Sequence, residues 1–163
     1  KNVSEEHERW GFVCYTKNGR KRKDKQHLLD LGVSNYKEVL KPKLLVGAMS
    51  FRTEANRNEW KNIAWPKGMS WGGEPAANLT DGYLQPGIFD IYTEIPAAHL
   101  IRTGVVKQDA NGEIHLYNKF WNWETDNRTV PAILIYADLM GSGNSRCLEA
   151  AQRILKNELK DFE

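Results

Sequence analysis

Thr129-Val130-Pro131-Ala132-Ile133-Leu134-Ile135-Tyr136-Ala137-Asp138-Leu139-Met140-Gly141-Ser142-Gly143 contains the longest apolar run of the chain and decides how the rest is read. Ile133, Ile135 and Tyr136 have strand propensity, and the run could be a buried strand. Pro131 just inside a Thr-led start, with Gly141 just past the end, favours a helix. Apolar residues on nearly every side imply burial under either reading, so the densest part of the core is expected here. Gly141-Ser142-Gly143 breaks the run, and a second helix is expected from Asn144 to about Leu159. Leu148, Ala151, Leu155 and Leu159 recur at spacings of three and four, with Ile154 widening the stripe. Asn144 is a suitable N-cap, and Lys156 and Lys160 lie where the helix dipole favours cations.

Working outward, Lys43 to Phe51 reads as a strand, Glu54 to Ile63 as a polar amphipathic helix carrying Trp60, and Trp65 to Gly68 as a turn. Ser70 to Leu84 is the second distinctive stretch: Gly72-Gly73 precede a helix start, with Glu74 and Pro75 in its first turn. Ala76, Leu79 and Tyr83 could share one face of that helix. Ile88 to Thr93 alternates like a strand, Pro96 to Arg102 reads as a short helix, Asn111-Gly112 as a turn, Glu113 to Trp121 as a strand and Trp121 to Arg128 as a loop. Strands and helices mix without regular alternation. The expectation is an α+β fold, a mixed or antiparallel sheet packed with helices and closed by a C-terminal helix pair.

The N-terminal part is read as a polar start, a strand from Trp10 to Thr16, and a basic loop, Lys17 to Lys25. That loop holds six basic residues (Lys17, Arg20, Lys21, Arg22, Lys23 and Lys25) and one acid, with Asn18-Gly19 as a turn signal. The run could touch phosphates, in DNA or RNA, with salt-sensitive binding. A solvated loop is the competing reading, since no aromatic residue interleaves it to stack on bases. His27 to Leu40 is weakly helical, and a short helix, Asn35 to Lys41, is expected to end at Pro42. Residues 1–42 are accordingly set apart as an N-terminal strand and basic arm, packed as one unit with 43–163.

At 163 residues the chain is one domain, or one domain with an arm, and a start at Lys1 rather than Met is expected of a fragment whose upstream domain is missing. The apolar fraction of 40% and six Trp indicate a globular chain, while a net charge of +2 is too small to imply nucleic acid by itself. Cys14 and Cys147 form no C-x-x-C, which argues against a zinc cluster and a disulfide framework and points to the cytoplasm. No run reaches the ~18 apolar residues of a membrane span.

Candidate chemistry is sparse. Gly68, Gly72 and Gly73 fit no phosphate-binding pattern, and backbone packing explains them better. Glu74, Asp90 and Glu94 could serve a metal-dependent nuclease if they converged on a divalent cation, although no lysine follows Glu94 closely. His7, His27, His99 and His115 show no ligand spacing. Ser142 lacks a nucleophile elbow, and Cys147, near a helix start, is better read as packing. Asp138 interrupts the apolar helix; the expected role is a carboxylate that accepts from the next helix's first N–H groups or from Arg146. No catalytic set and no cofactor emerge.

Two groups of residues carry a resemblance. Trp71-Gly72-Gly73-Glu74-Pro75-Ala76-Ala77, Gly82-Tyr83-Leu84-Gln85-Pro86 and Ile91-Tyr92 resemble the "GGE-x-AA … GYL-x-P … Y" pattern of AbiEi-type antitoxins. Pro131 to Leu139, with Tyr136 and Asp138, then Gly143-Asn144-Ser145-Arg146 and Leu148-Glu149-Ala150-Ala151, are similar to that family's "P-x-LL-x-YADLL … GD-x-R-x-LEAA" ending. Asn144 stands where the pattern prefers Asp and Ser145 where it often has Pro. Both keep N-cap chemistry. The resemblance runs from about Lys43 to Leu159. These bacterial proteins are the antitoxin and transcriptional-regulator halves of type IV toxin–antitoxin systems, named for abortive phage infection. The resemblance implies a non-enzymatic domain opposing a nucleotidyltransferase-like toxin. The resemblance implies that residues 43–163 are the family's C-terminal domain, and its N-terminal DNA-reading winged helix is not expected in residues 1–42.

Overall fold

The computed structural model describes residues 22–121 and 128–160. The expected strand at Trp10–Thr16, most of the basic run and the loop tip at 122–127 lie outside them. The first element is α1, Arg22–Asn35. It continues through a π-helical turn, Tyr36–Leu40, into α2, Lys41–Leu44. Pro42 therefore does not end the helix. A proline inside an α-helix clashes with the carbonyl four residues back. Here the turn before it is widened, the Lys41 N–H donating to the carbonyl of Tyr36 five residues back. The expected basic loop is also helical from Arg22 onward.

After α2 the chain gives β1 (Leu45–Phe51), α3 (Glu54–Asn58) and a 3-10 turn (Trp60–Asn62). Then come β2 (Met69–Gly72), α4 (Gly73–Asp81), β3 (Phe89–Thr93), α5 (Ala97–Arg102), β4 (Val106–Gln108) and β5 (Ile114–Asn118). The chain closes with α6 (Ala132–Gly141) and α7 (Ser145–Glu158). The α+β expectation holds: among the described residues a five-stranded sheet, in the order β2-β3-β5-β1-β4, is packed with helices. It is mixed, because β3 and β5 run parallel while the other pairs are antiparallel.

Register places the chemistry. Gly72, Asp90, His115 and Ala48 form one row across four strands, and Ser70, Tyr92 and Tyr117 the next row on the same side. Alternation along β3 and β5 sends Asp90, Tyr92, His115 and Tyr117 to one face and Phe89, Ile91, Ile114 and Leu116 to the other. On the second face Phe89 meets Phe51 and Trp60 edge-on, with ring centroids 5.0 and 5.7 Å away. Trp71, a residue of the glycine-rich motif, meets Trp60 at 5.3 Å and Trp65 at 5.7 Å in the same aromatic cluster.

The apolar run is a helix, and every residue from Ile133 to Leu139 is buried. It packs against α7, α4 and α1, which is what a helix apolar on all sides requires. Tyr136 is buried, and burial raises its pKa with Gln26 of α1 opposing. Asn144 caps α7 as expected, its side chain accepting from the Cys147 N–H. The buried stripe is turned by one residue from expectation: Cys147, Ala150, Ala151, Ile154 and Leu155 face inward and Leu148 is exposed. Tyr83 lies beyond α4 and is also exposed. Leu29, Val33 and Tyr36 of the first helical stretch join the same buried cluster as α6.

Candidate functional site

A cleft of about 460 Å³ opens between the α1–α2 stretch, the polar face of β3 and β5, the start of α4 and the α6–α7 turn. Beneath it Lys41 Nζ lies 2.9 Å from both Asp90 Oδ2 and Asp138 Oδ1. The ammonium also sits 4.9 Å from the centre of the Tyr117 ring. Asp138 has two further donors: Tyr92 Oη, at 3.0 Å, and the Gly73 N–H, at 3.2 Å. The hydroxyls of Tyr36 and Tyr92 are hydrogen-bonded to each other. Tyr92 has one proton and gives it to the carboxylate, so Tyr36 is the donor in that pair.

Burial raises the pKa of Asp138, Lys41 opposes this and Asp90 adds to it; the net result lies above the ordinary carboxylate value. Burial alone would lower Lys41, but Asp138 and Asp90 outweigh it and hold the ammonium well above its usual value. Burial, then Asp138, pushes Tyr92 well up. Burial, then Asp90, pushes Tyr117 up to about 12. The hydroxyls therefore stay protonated and the lysine charged at neutral pH.

The Gly72-Gly73 pair is what lets these groups meet. A Cβ on Gly72 would fall 2.5 Å from the Tyr92 ring. Gly73 adopts φ +50°, which L side chains rarely take, and a Cβ there would lie 2.8 Å from Asp90 Oδ2. Glu74 follows and bridges elsewhere: Oε2 accepts from the Ile88 N–H at 2.7 Å, while Oε1 lies 3.5 Å from both Arg146 Nη2 and Cys147 Sγ. Asp138 thus does fasten neighbouring elements, but not by the expected donors. Arg146 turns to Glu74, and the α7 cap comes from Asn144. Burial raises the Cys147 thiol pKa. Glu149, on the exposed side of α7, raises the Tyr83 hydroxyl pKa.

The nuclease arrangement is not supported. Glu74, Asp90 and Glu94 do not converge: Glu94 is 57% exposed and pairs with Lys119 at 3.2 Å, away from the other two. Among the described residues no group of three or more His, Cys, Asp or Glu could hold a metal ion. Of the basic run, Lys17, Arg20 and Lys21 lie outside the described residues, and Arg22, Lys23 and Lys25 belong to the first turns of α1. Sequence reasoning missed Lys41, Tyr36 and Tyr117. Ending the helix at Pro42 hid Lys41, while the spacing of Asp90 and Tyr92 carried a usable signal.

The family model described as "Transcriptional regulator, AbiEi antitoxin, Type IV TA system" matches residues 21–160. The chain belongs to the AbiEi antitoxin family. In this AbiEi-family chain the two motif groups meet in space: the glycine-rich turn donates its Gly73 N–H to the Asp138 of the C-terminal motif. The match also takes in the helix that supplies Lys41. A curated relative, the CCR4-Not complex 3'-5'-exoribonuclease subunit Ccr4 of Coccidioides immitis (strain RS), is 34% identical over 87 residues. That stretch is 52% of this AbiEi-family chain and 11% of the relative, so the chain spans a small part of the relative's length. No solved structure matches significantly. Among the described residues no helix is long and apolar enough to cross a membrane.

Proposed function

We propose that this AbiEi-family domain opposes a nucleotidyltransferase-like toxin by binding, with no bond-making chemistry of its own. The supporting observation is the state of the cleft acids. Asp138 takes Lys41, Tyr92 and Gly73; Asp90 takes Lys41; Glu74 takes the Ile88 N–H and faces Arg146. Carboxylates engaged by donors from other elements hold those elements together, which supports a role in contact rather than in proton transfer or metal binding. The basic run of Lys17, Arg20, Lys21, Arg22, Lys23 and Lys25 assists contact with DNA or RNA.

Co-expression with a nucleotidyltransferase-like toxin, preferably one encoded beside it, tests the reading. Restored growth supports it, and persistent toxicity at matched expression overturns it.

A further inference from the structure

We infer that the cleft is a binding site for a small organic phosphate of mononucleotide size, gripped at its anionic end by Lys37 and Arg146. The cleft's volume, about 460 Å³, lies in the range of small-molecule pockets. Its charges are layered. The acid side chains are covered: Glu74 is 10% exposed, Asp90 9% and Asp138 1%. The basic groups face outward: Arg146 is 57% exposed, His115 36%, and Lys37 is exposed. A molecule entering the cleft meets positive charge first.

An incoming cation would compete with Lys41 and the backbone donors that already engage these acids. An incoming anion displaces almost nothing. Among the described residues Arg146 makes contacts of 3.4 Å to the Gln85 carbonyl and 3.5 Å to Glu74, at the outer limit of hydrogen bonding. Among the described residues Lys37 makes no ion pair; its stem lies along Gly141, and it lines the same cleft as Arg146. Two exposed cations lining one cleft suit a dianion better than a carboxylate, and an arginine fork matches phosphate oxygens. Ile88, 43% exposed in the cleft wall, offers an apolar surface for the rest of the ligand.

This inference is independent of toxin antagonism. The test is calorimetric titration of the full chain with adenosine monophosphate, adenosine and a 5'-phosphorylated RNA hexamer. The nucleotide is expected to bind, with adenosine weaker by roughly tenfold or more. Lys37→Gln and Arg146→Gln should each weaken the nucleotide roughly tenfold, the loss expected for one charge-assisted contact, while melting like the parent. Lys37→Gln keeps the test decisive if Arg146→Gln disturbs Glu74. Absence of nucleotide binding at millimolar concentration overturns the inference. So does equal binding of adenosine, unchanged affinity in Lys37→Gln, or hexamer binding that is tighter and indifferent to both substitutions.

Discussion

Replacing Lys41 by Met should be the most damaging single change that leaves the apolar core untouched. The methionine keeps the stem and deletes the ammonium, leaving Asp138, 1% exposed, and Asp90, 9% exposed, without their shared cation. Breaking a buried ion pair from one side costs about 3–5 kcal/mol. Asp138 keeps its Tyr92 and Gly73 donors and can take up a proton, so the lower end of that range, about 3 kcal/mol, is expected. At about 2–4 °C per kcal/mol for a chain of this size, melting should fall by roughly 6–12 °C.

The loss should depend on pH. Burial holds the folded Asp138 above its ordinary value, so between about 3.9 and that raised value the folded state binds a proton the unfolded state does not. Stability from this group therefore rises as pH falls through the window. Without Lys41 the value moves higher still and the window widens, so the variant's deficit should shrink on acidification. In the parent, Lys41 itself contributes stability that is fully present below about pH 10.4 and lost as pH rises through its raised folded value. Urea denaturation at about pH 7.5 and about pH 5.5 reads the deficit and its shrinkage on acidification, and Lys41→Met with Asp138→Asn should recover part of the loss. A deficit under about 1 kcal/mol at the higher pH, the size of an exposed pair, would refute the reasoning. A deficit identical at the two pH values would do so as well.

Gly72→Ala should cost about 1–3 kcal/mol or abolish soluble expression, because the new methyl meets the Tyr92 ring at 2.5 Å; thermal melting reads it. Asn144→Ala should cost about 1 kcal/mol through the lost cap on the Cys147 N–H, with Asn144→Asp near neutral in the same assay. Replacing the six basic residues from Lys17 to Lys25 by Gln should weaken binding to a DNA or RNA duplex and flatten its dependence on salt; unchanged affinity across a salt series would reduce the run to solvation.

The fold was legible where one local signal dominated. Asn144 announced α7 through its capping side chain, and the glycine pair announced α4, because both signals act within a few residues. The ambiguous run became α6 because helices surround it on several sides, a fact of tertiary packing that no local window contains. β2 and β4 went unread: each is short, and β2 holds only Met69–Gly72 against one strand neighbour and a single bridge at Thr129. The candidate site was half legible. Asp138 stood out as a charge in an apolar helix, and its need for donors followed from burial. Its donors could not be read, because Lys41 lies 97 residues away, on a helix whose π-turn carries it past Pro42. Arg146, the nearest cation in sequence, was the natural guess and went to Glu74 instead.

The proposed function requires that the acids of this AbiEi-family chain fasten the fold and that the molecule acts by contact. Incubating the purified chain with plasmid DNA and structured RNA in Mg²⁺ or Mn²⁺ tests this most directly. The proposed function predicts both substrates intact after prolonged incubation; cleavage that disappears in an Asp90→Ala variant melting like the parent would contradict it.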